Sequence, residues 1–392
     1  MFDAEVLIVG YVPREAESIR VPLMSNRQEK QPARREVTEI APNVLRMELP
    51  IRLPGLGHVN CYALIDSEGA AVVDPGLPGP GTWRAIQDRL SQAQLRVKDV
   101  HTVIVTHSHP DHFGGAMRFA HESGARIVAH DSFRFGPMEA AKDDPKGSVE
   151  HVGGSGPSKA GAASSDTAVQ AKPVLHSKSR KFQSSSTPWG GEHPRPPWRT
   201  RLKWMALRWM SYGSIVPVIT DPVAKGDTLK LAGREWFVVH TPGHTEDHIC
   251  LHSPELGLFL AGDHVLPTIT PHISGTGTQP DPLLAFYESL DLVAELDHVD
   301  QVLPAHGHPF DNLAQRCVEI KKHHDERLEK LGSISRAFGG PATVEAFSQK
   351  LFKPRSWGPM AESETYAHLE HLRIAGRAER SNDSDGKFLY LG

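Results

Sequence analysis

Thr-Val-Ile-Val-Thr-His-Ser-His-Pro-Asp-His, residues 102–112, runs a short apolar segment straight into four potential metal ligands. Val103 to Val105 is β-branched and reads as a buried strand. His107, His109, Asp111 and His112 follow at once. Pro110 ends the strand and is expected to keep the chain out of a helix before Asp111. In extended chain, residues two apart point the same way, so His107 and His109 converge on one point. Asp111 and His112, beyond the proline, turn toward a second point nearby. Such a density of nitrogen and oxygen ligands at a strand end has little structural use and points to metal binding.

The rest of the chain sets the bounds. With 392 residues it can bury a sizeable core and divide into two domains. Hydrophobic content of 39% and net charge −4 describe an ordinary globular protein with no global attraction to nucleic acid or membrane. The 23 histidines favour imidazole-loving ions such as Zn, Fe or Mn. Cys61, Cys250 and Cys317 are scattered and form no CxxC pair, which argues against a disulfide framework or a thiolate zinc site and fits a reducing compartment. No apolar run reaches the roughly 18 residues of a membrane span. The apolar residues 5–12 lack the basic start of a signal peptide. A cytoplasmic location is expected.

In chain order, residues 1–36 read as a flexible leader of interleaved Arg and Glu. Strands follow at 44–49, 60–65 and 70–73, the last running into Asp74-Pro-Gly. Trp83, Ile86 and Leu90 mark an amphipathic helix over 81–94. After the 102–112 loop, 113–123 reads as a helix and 125–129 as a strand. This alternation argues a layered α/β domain. Residues 142–197 are rich in Gly, Ser, Pro, Ala and Lys and read as a disordered insertion. Residues 198–213 read as a basic amphipathic helix, either packed on the body or serving as a lid whose Trp204, Arg208 and Trp209 meet the substrate. A membrane-surface helix fits less well.

Strands resume at 228–231, 235–239, 249–252 and 258–261, with a helix over 281–296. Three of the later strand ends deliver a ligand type beside glycine: Pro-Gly-His244, Gly-Asp263 and Ala-His306-Gly. Two zinc-like ions need about three protein ligands each plus shared solvent. His107, His109 and His244 suit one, and Asp111, His112 and His306 the other. Asp263 can bridge them.

These motifs, taken in order, resemble the metallo-β-lactamase superfamily, and most nearly its glyoxalase II-like branch, over about residues 37–337 without the insertion; the catalytic domain is expected to span 37–332. The resemblance implies an αββα sandwich of two mixed sheets with helices outside and a dinuclear centre at one sheet edge. It also implies that Asp74 of Val-Val-Asp-Pro-Gly orients a ligand histidine. The remaining alternative for Asp74 is a loop cap.

The C-terminal part, 333–392, reads as helices over 341–352 and 361–376 and a hairpin across 382–386. It resembles a winged-helix domain, as found in some relatives. Its second helix carries Glu362, Glu364 and Glu370 against Arg373, so packing or homodimerisation is favoured over nucleic-acid binding. It does not resemble the glutathione-binding domain of true glyoxalase II.

The expectation is a metal-dependent hydrolase. Two zinc ions, with Fe or Mn as alternatives, would activate hydroxide against a small acyl substrate (thioester, ester or lactone), and Asp111 would orient it and shuttle a proton. The rivals are a single-strand endoribonuclease or phosphodiesterase on the same metals and an iron-dependent persulfide dioxygenase.

Overall fold

The computed structural model describes residues 27–135, 186–190, 198, 202, 205 and 214–392. Trp204, Arg208 and Trp209, with most of the 142–197 insertion, lie outside these. Of the helix read over 198–213, Trp198, Leu202 and Met205 are described, as helical and exposed.

Two sheets carry the body. Strands β1 (Thr38–Ala41), β2 (Val44–Leu53), β3 (Leu56–Asp66), β4 (Gly69–Val73), β5 (Val100–Ile104), β6 (Arg126–His130) and β7 (Asp221–Val223) lie side by side in chain order. Pairing is antiparallel as far as β4 and parallel from β4 to β7. The second sheet has the order β12 (Gln301–Pro304), β11 (Leu258–Gly262), β10 (Ile249–Ser253), β9 (Arg234–His240) and β8 (Thr228–Leu231). Only β11 and β12 run parallel there.

Side-chain alternation stacks these sheets. On β3, Tyr62 and Leu64 face the second sheet, whereas Val59, Cys61 and Ala63 face helices α1 (Pro80–Gln92) and α3 (Ala116–Ser123). On β11, Leu258 and Leu260 face inward, and Phe259 and Ala261 face helices α4 (Pro282–Ala294) and α5 (Leu313–Phe338). Trp236 fills the space between the sheets with its indole N–H donated to the Leu231 carbonyl at 3.3 Å. The result is the expected αββα sandwich. Cys61, Cys250 and Cys317 are buried and free. Among the described residues, no helix is long and apolar enough to cross a membrane.

Three local expectations differ from the structure. Pro110 opens a short helix, α2 (Pro110–Phe113), because its fixed φ and missing N–H suit the first helical position. The helix read over 113–123 breaks at Gly114-Gly115. A Cβ there would fall 2.2 Å from Pro78 N and 2.6 Å from the Pro75 carbonyl oxygen, so the two glycines let the loop after Asp74 close onto this turn. The described part of the leader, 27–36, is seated on the body. Glu29 is fully buried and accepts from the backbone N–H groups of Thr268 and Ile269, at 2.9 and 3.1 Å, and from the Thr268 hydroxyl.

The C-terminal elements are β13 (Ala342–Thr343), α6 (Val344–Leu351), α7 (Pro359–Ile374), β14 (Glu379–Asn382) and β15 (Phe388–Leu391). Their strands form a small sheet ordered β13, β15, β14. The expected boundary at residue 333 falls inside α5, which runs unbroken for 26 residues. One apolar cluster joins Phe259 and Val302 of the second sheet to Leu328 of α5, Phe347 of α6 and Leu369 of α7.

Candidate metal centre

Four strand ends at one edge of the sandwich supply the seven expected ligands. His107 and His109 follow β5, and Asp111 and His112 occupy the single turn of α2. His244 follows β9 through Thr241-Pro-Gly. Gly243 has φ +132, and a Cβ on it would lie 2.4 Å from Cβ of Phe286 on α4. Gly243→Ala is therefore expected to cost about 2 kcal/mol in strain and overpacking and to displace His244. Thermal unfolding and metal titration of that variant check both effects. Asp263 follows β11 after Gly262, whose own Cβ would meet the His248 ring at 2.7 Å. His306 follows β12, and the neighbouring Gly307 carbonyl is held by Asn60 and Arg46 at 2.9 and 3.0 Å.

All seven converge. His109 Nδ1 lies 2.9 Å from His107 Nε2 and 3.1 Å from His244 Nε2. These three and Asp263 place their ligand atoms within 4.8 Å of one another, as do Asp111, His112 and His306. Asp263 lies between the groups. Its Oδ2 is 4.0, 3.7 and 3.5 Å from Nε2 of His107, His244 and His112, and its Oδ1 is 3.3 Å from His306 Nε2. His306 and His112 lie 3.6 and 3.8 Å from Asp111 Oδ2.

Hydrogen-bond partners assign the protons. The Thr106 hydroxyl donates to Asp74 at 2.8 Å and therefore accepts from His107 Nδ1 at 3.0 Å. His112 Nδ1 donates to Asp74 Oδ2 at 2.8 Å, His244 Nδ1 to the His272 carbonyl at 2.6 Å, and His306 Nδ1 to the His58 carbonyl at 2.7 Å. In their neutral form these four rings therefore turn a bare Nε2 toward the centre, the tautomer of a metal-ligating imidazole. His112 Nε2, His306 Nε2 and Asp263 Oδ1 are buried without a hydrogen-bond partner. Lone pairs facing one another and a carboxylate in this way call for cations between them. The nitrogen and oxygen donors, with no thiolate among them, suit Zn, Mn or Fe.

Electrostatics divides the two groups. Burial, reinforced by neighbouring imidazoles, holds His107 and His109 well below the ordinary histidine pKa. Burial also opposes charge on His112 and His306, but the facing carboxylates, Asp263 foremost, outweigh it and raise both. In turn His306 and His112 overcome the burial of Asp263 and hold it well below the usual carboxylate range.

Several supporting groups carried no signal in the sequence. The carbonyls of His58 and His272 are backbone atoms that any residue type could supply. His248, four residues after His244, accepts the backbone N–H of Asp263 at 3.1 Å and donates to Thr241 Oγ1 at 2.8 Å. Its place beside two ligand motifs was the available clue.

Residues 54–306 match the family model described as the Metallo-beta-lactamase superfamily. The chain belongs to that superfamily. Among its relatives, the "Probable metallo-hydrolase YqjP" of Bacillus subtilis (strain 168) is 24% identical over 338 residues, covering 83% of this chain and 91% of that one. The crystal structure of a metallo-beta-lactamase family protein from Thermus thermophilus superposes with a TM-score of 0.65 at 27% identity, covering 90% of this chain and 99% of that one. A shorter match, 29% identical over 132 residues, covers 33% of this chain and 43% of the "Acyl-coenzyme A thioesterase MBLAC2" of Gallus gallus. This superfamily member is a metal-dependent hydrolase, and its described His and Asp clusters have the geometry to hold metal ions.

Proposed function

We propose that the protein hydrolyses a small acyl substrate (a thioester, ester or lactone) with two divalent cations, zinc first among them. One would be held by His107, His109 and His244 and the other by Asp111, His112 and His306, with Asp263 shared. The observation that carries this reading is the convergence of inward-facing nitrogen and carboxylate ligand atoms in two adjacent groups around Asp263. Bound there, the cations lower the pKa of a water toward 7 and polarise the scissile carbonyl. Asp74 keeps His112 in the ligating tautomer. Asp111, buried beside His112 and His306, would accept the attacking water's proton and pass it to the leaving group.

Two features favour acyl over phosphoryl substrates. Arg34 and Arg46, which flank the His306 loop, are both committed to Glu48, at 2.9 and 2.7 Å. On α7, Glu370 is buried and binds Arg373, Arg380 and the Tyr390 hydroxyl, so those cations are consumed within the C-terminal module. The module runs helix, short strand, two helices and hairpin, the order of a winged-helix domain, and we read it as a packing element. The local similarity to an acyl-coenzyme A thioesterase points the same way, as do the glyoxalase II-like motifs.

The test is a panel of acyl-coenzyme A thioesters, S-lactoylglutathione, lactones, phosphodiesters and short RNA on zinc-loaded protein. Thiol or acid release, abolished by His109→Ala, is the expected result. Salt-sensitive RNA cleavage without acyl hydrolysis would overturn it, as would stoichiometric iron with oxygen uptake.

A further inference from the structure

A second cluster of ligand-type side chains lies where α5 packs on α7, outside the region matched by the family model. His324, Glu364 and His368 place their ligand atoms within 4.8 Å of one another. Both histidines are fully buried. His324 Nδ1 is 3.0 Å from His368 Nε2.

The proton inventory of this pair is unusual. His368 Nδ1 lies 2.7 Å from the Glu364 carbonyl one turn earlier, so it carries the hydrogen and Nε2 carries the lone pair. If His324 Nδ1 donates into that lone pair, His324 Nε2 becomes a bare acceptor. That atom is buried with no hydrogen-bond partner. Its ring packs edge-to-face on Phe286, with centroids 5.6 Å apart, and near Tyr287 at 6.2 Å. Aromatic faces offer an acceptor nothing, whereas an N–H set against a π face is weakly favourable. The alternative tautomer puts the hydrogen on Nε2 and relieves that buried atom. It leaves two bare nitrogens opposed at 3.0 Å, an arrangement that needs a positive charge between them. Nitrogens bound to one tetrahedral zinc lie about 3.3 Å apart, so a small rotamer adjustment admits the ion.

Glu364 completes the set. Burial opposes its ionisation, but Arg327 and His272 outweigh it and keep the carboxylate charged. Oε1 takes the Arg327 guanidinium, while Oε2 lies 3.5 Å from His272 Nδ1 and remains open to a second cation.

We propose that His324, Glu364 and His368 bind a divalent transition-metal ion of the zinc class, separate from the catalytic centre, which staples α7 to α5. Two imidazoles and a carboxylate from two helices form a three-ligand set of the kind that zinc completes with one solvent molecule. The staple reaches the catalytic edge through Glu364. This side chain contacts His272, whose carbonyl takes the Nδ1 proton of His244 at 2.6 Å.

The experiment counts metal in full-length protein dialysed against zinc. A His107→Ala/His109→Ala/His112→Ala variant, stripped at the catalytic edge, is expected to retain about one equivalent and to show raised thermal stability with zinc. The same chain loaded with Co2+ should show a tetrahedral visible spectrum. Adding His368→Gln should remove the equivalent, the spectrum and the thermal shift together. A folded triple variant that binds no zinc or Co2+ overturns the proposal, as does a quadruple variant that keeps the ion. The first readout needs no substitution in the C-terminal module, so an absence of bound ion there stays decisive even if the His368→Gln chain misfolds. Because Asp111, His244, Asp263 and His306 remain at the catalytic edge, the assignment rests on the difference between the triple and quadruple variants: only an equivalent that His368→Gln removes belongs to this site.

Discussion

Asp263→Ala is expected to lower kcat/KM on any hydrolysed substrate by about 10³-fold or more and to reduce catalytic-edge metal to one ion or fewer. Its two oxygens face four histidines from both ligand groups, at 3.3 to 4.0 Å. No other side chain among the described residues approaches both groups with negative charge in this way. Removing it withdraws the charge that would hold two dications close together, an interaction worth several kcal/mol, and about 4 kcal/mol corresponds to 10³ in rate. The fold should survive. The Asp263 backbone N–H keeps its bond to His248, and Gly262 still occupies its close-packed turn. Metal analysis and activity measured beside an unchanged circular dichroism spectrum make the check. A variant that keeps two ions and wild-type turnover would remove the shared carboxylate from the site and the two-ion reading with it.

This expectation is readable from the sequence because the site is made of strand ends. A β-branched or apolar run stopping beside His or Asp is a local pattern, with glycine next to the ligand at three of the four stops, and all four can be read one by one. Alternation along β3 and β11 likewise tells which residues must face a second layer. What stays hidden depends on distant chain. Strand β7 pairs with β6 although the whole insertion separates them, and its Asp-Pro-Val gives no strand signal of its own. The burial of Glu29 rests on donors at Thr268 and Ile269, some 240 residues away, so its segment reads as loose polar text. The boundary expected at residue 333 falls within the unbroken helix α5, because an amphipathic helix can cross from one packing partner to another without any change in its period. At the site, the His58 and His272 carbonyls that set the ligand tautomers are independent of residue type. Pro110 reads as a barrier to helix, yet proline suits the first helical position; that position puts Asp111 and His112 on one tight turn.

Asp74 separates what holds the fold from what holds the metal. The side chain is almost wholly buried and takes three hydrogen bonds: from the Thr106 backbone N–H at 2.9 Å, the Thr106 hydroxyl at 2.8 Å and His112 Nδ1 at 2.8 Å. Asp74→Ala leaves these donors without an acceptor in a dry site, at a cost of about 3 kcal/mol. Asp74 also sits at φ +55, a backbone conformation that Asp tolerates better than Ala, which adds to the loss. Asp74→Asn is the sharper probe. An amide keeps the shape and one acceptor, so the Thr106 N–H remains satisfied. However, its NH2 now meets His112 Nδ1 and can be accommodated only if that nitrogen gives up its hydrogen. The hydrogen then moves to Nε2, which points at Asp111 and Asp263, and His112 stops being a ligand. Asp74→Asn is therefore expected to keep metal-free thermal stability near wild type while weakening metal binding by about 10- to 100-fold and activity by at least as much. Asp74→Ala should lose both stability and metal. Competition titration with a chelator and thermal unfolding of metal-free protein resolve the two effects. An Asn variant that binds metal as tightly as wild type would show that Asp74 merely caps its loop and that the His112 tautomer is set elsewhere.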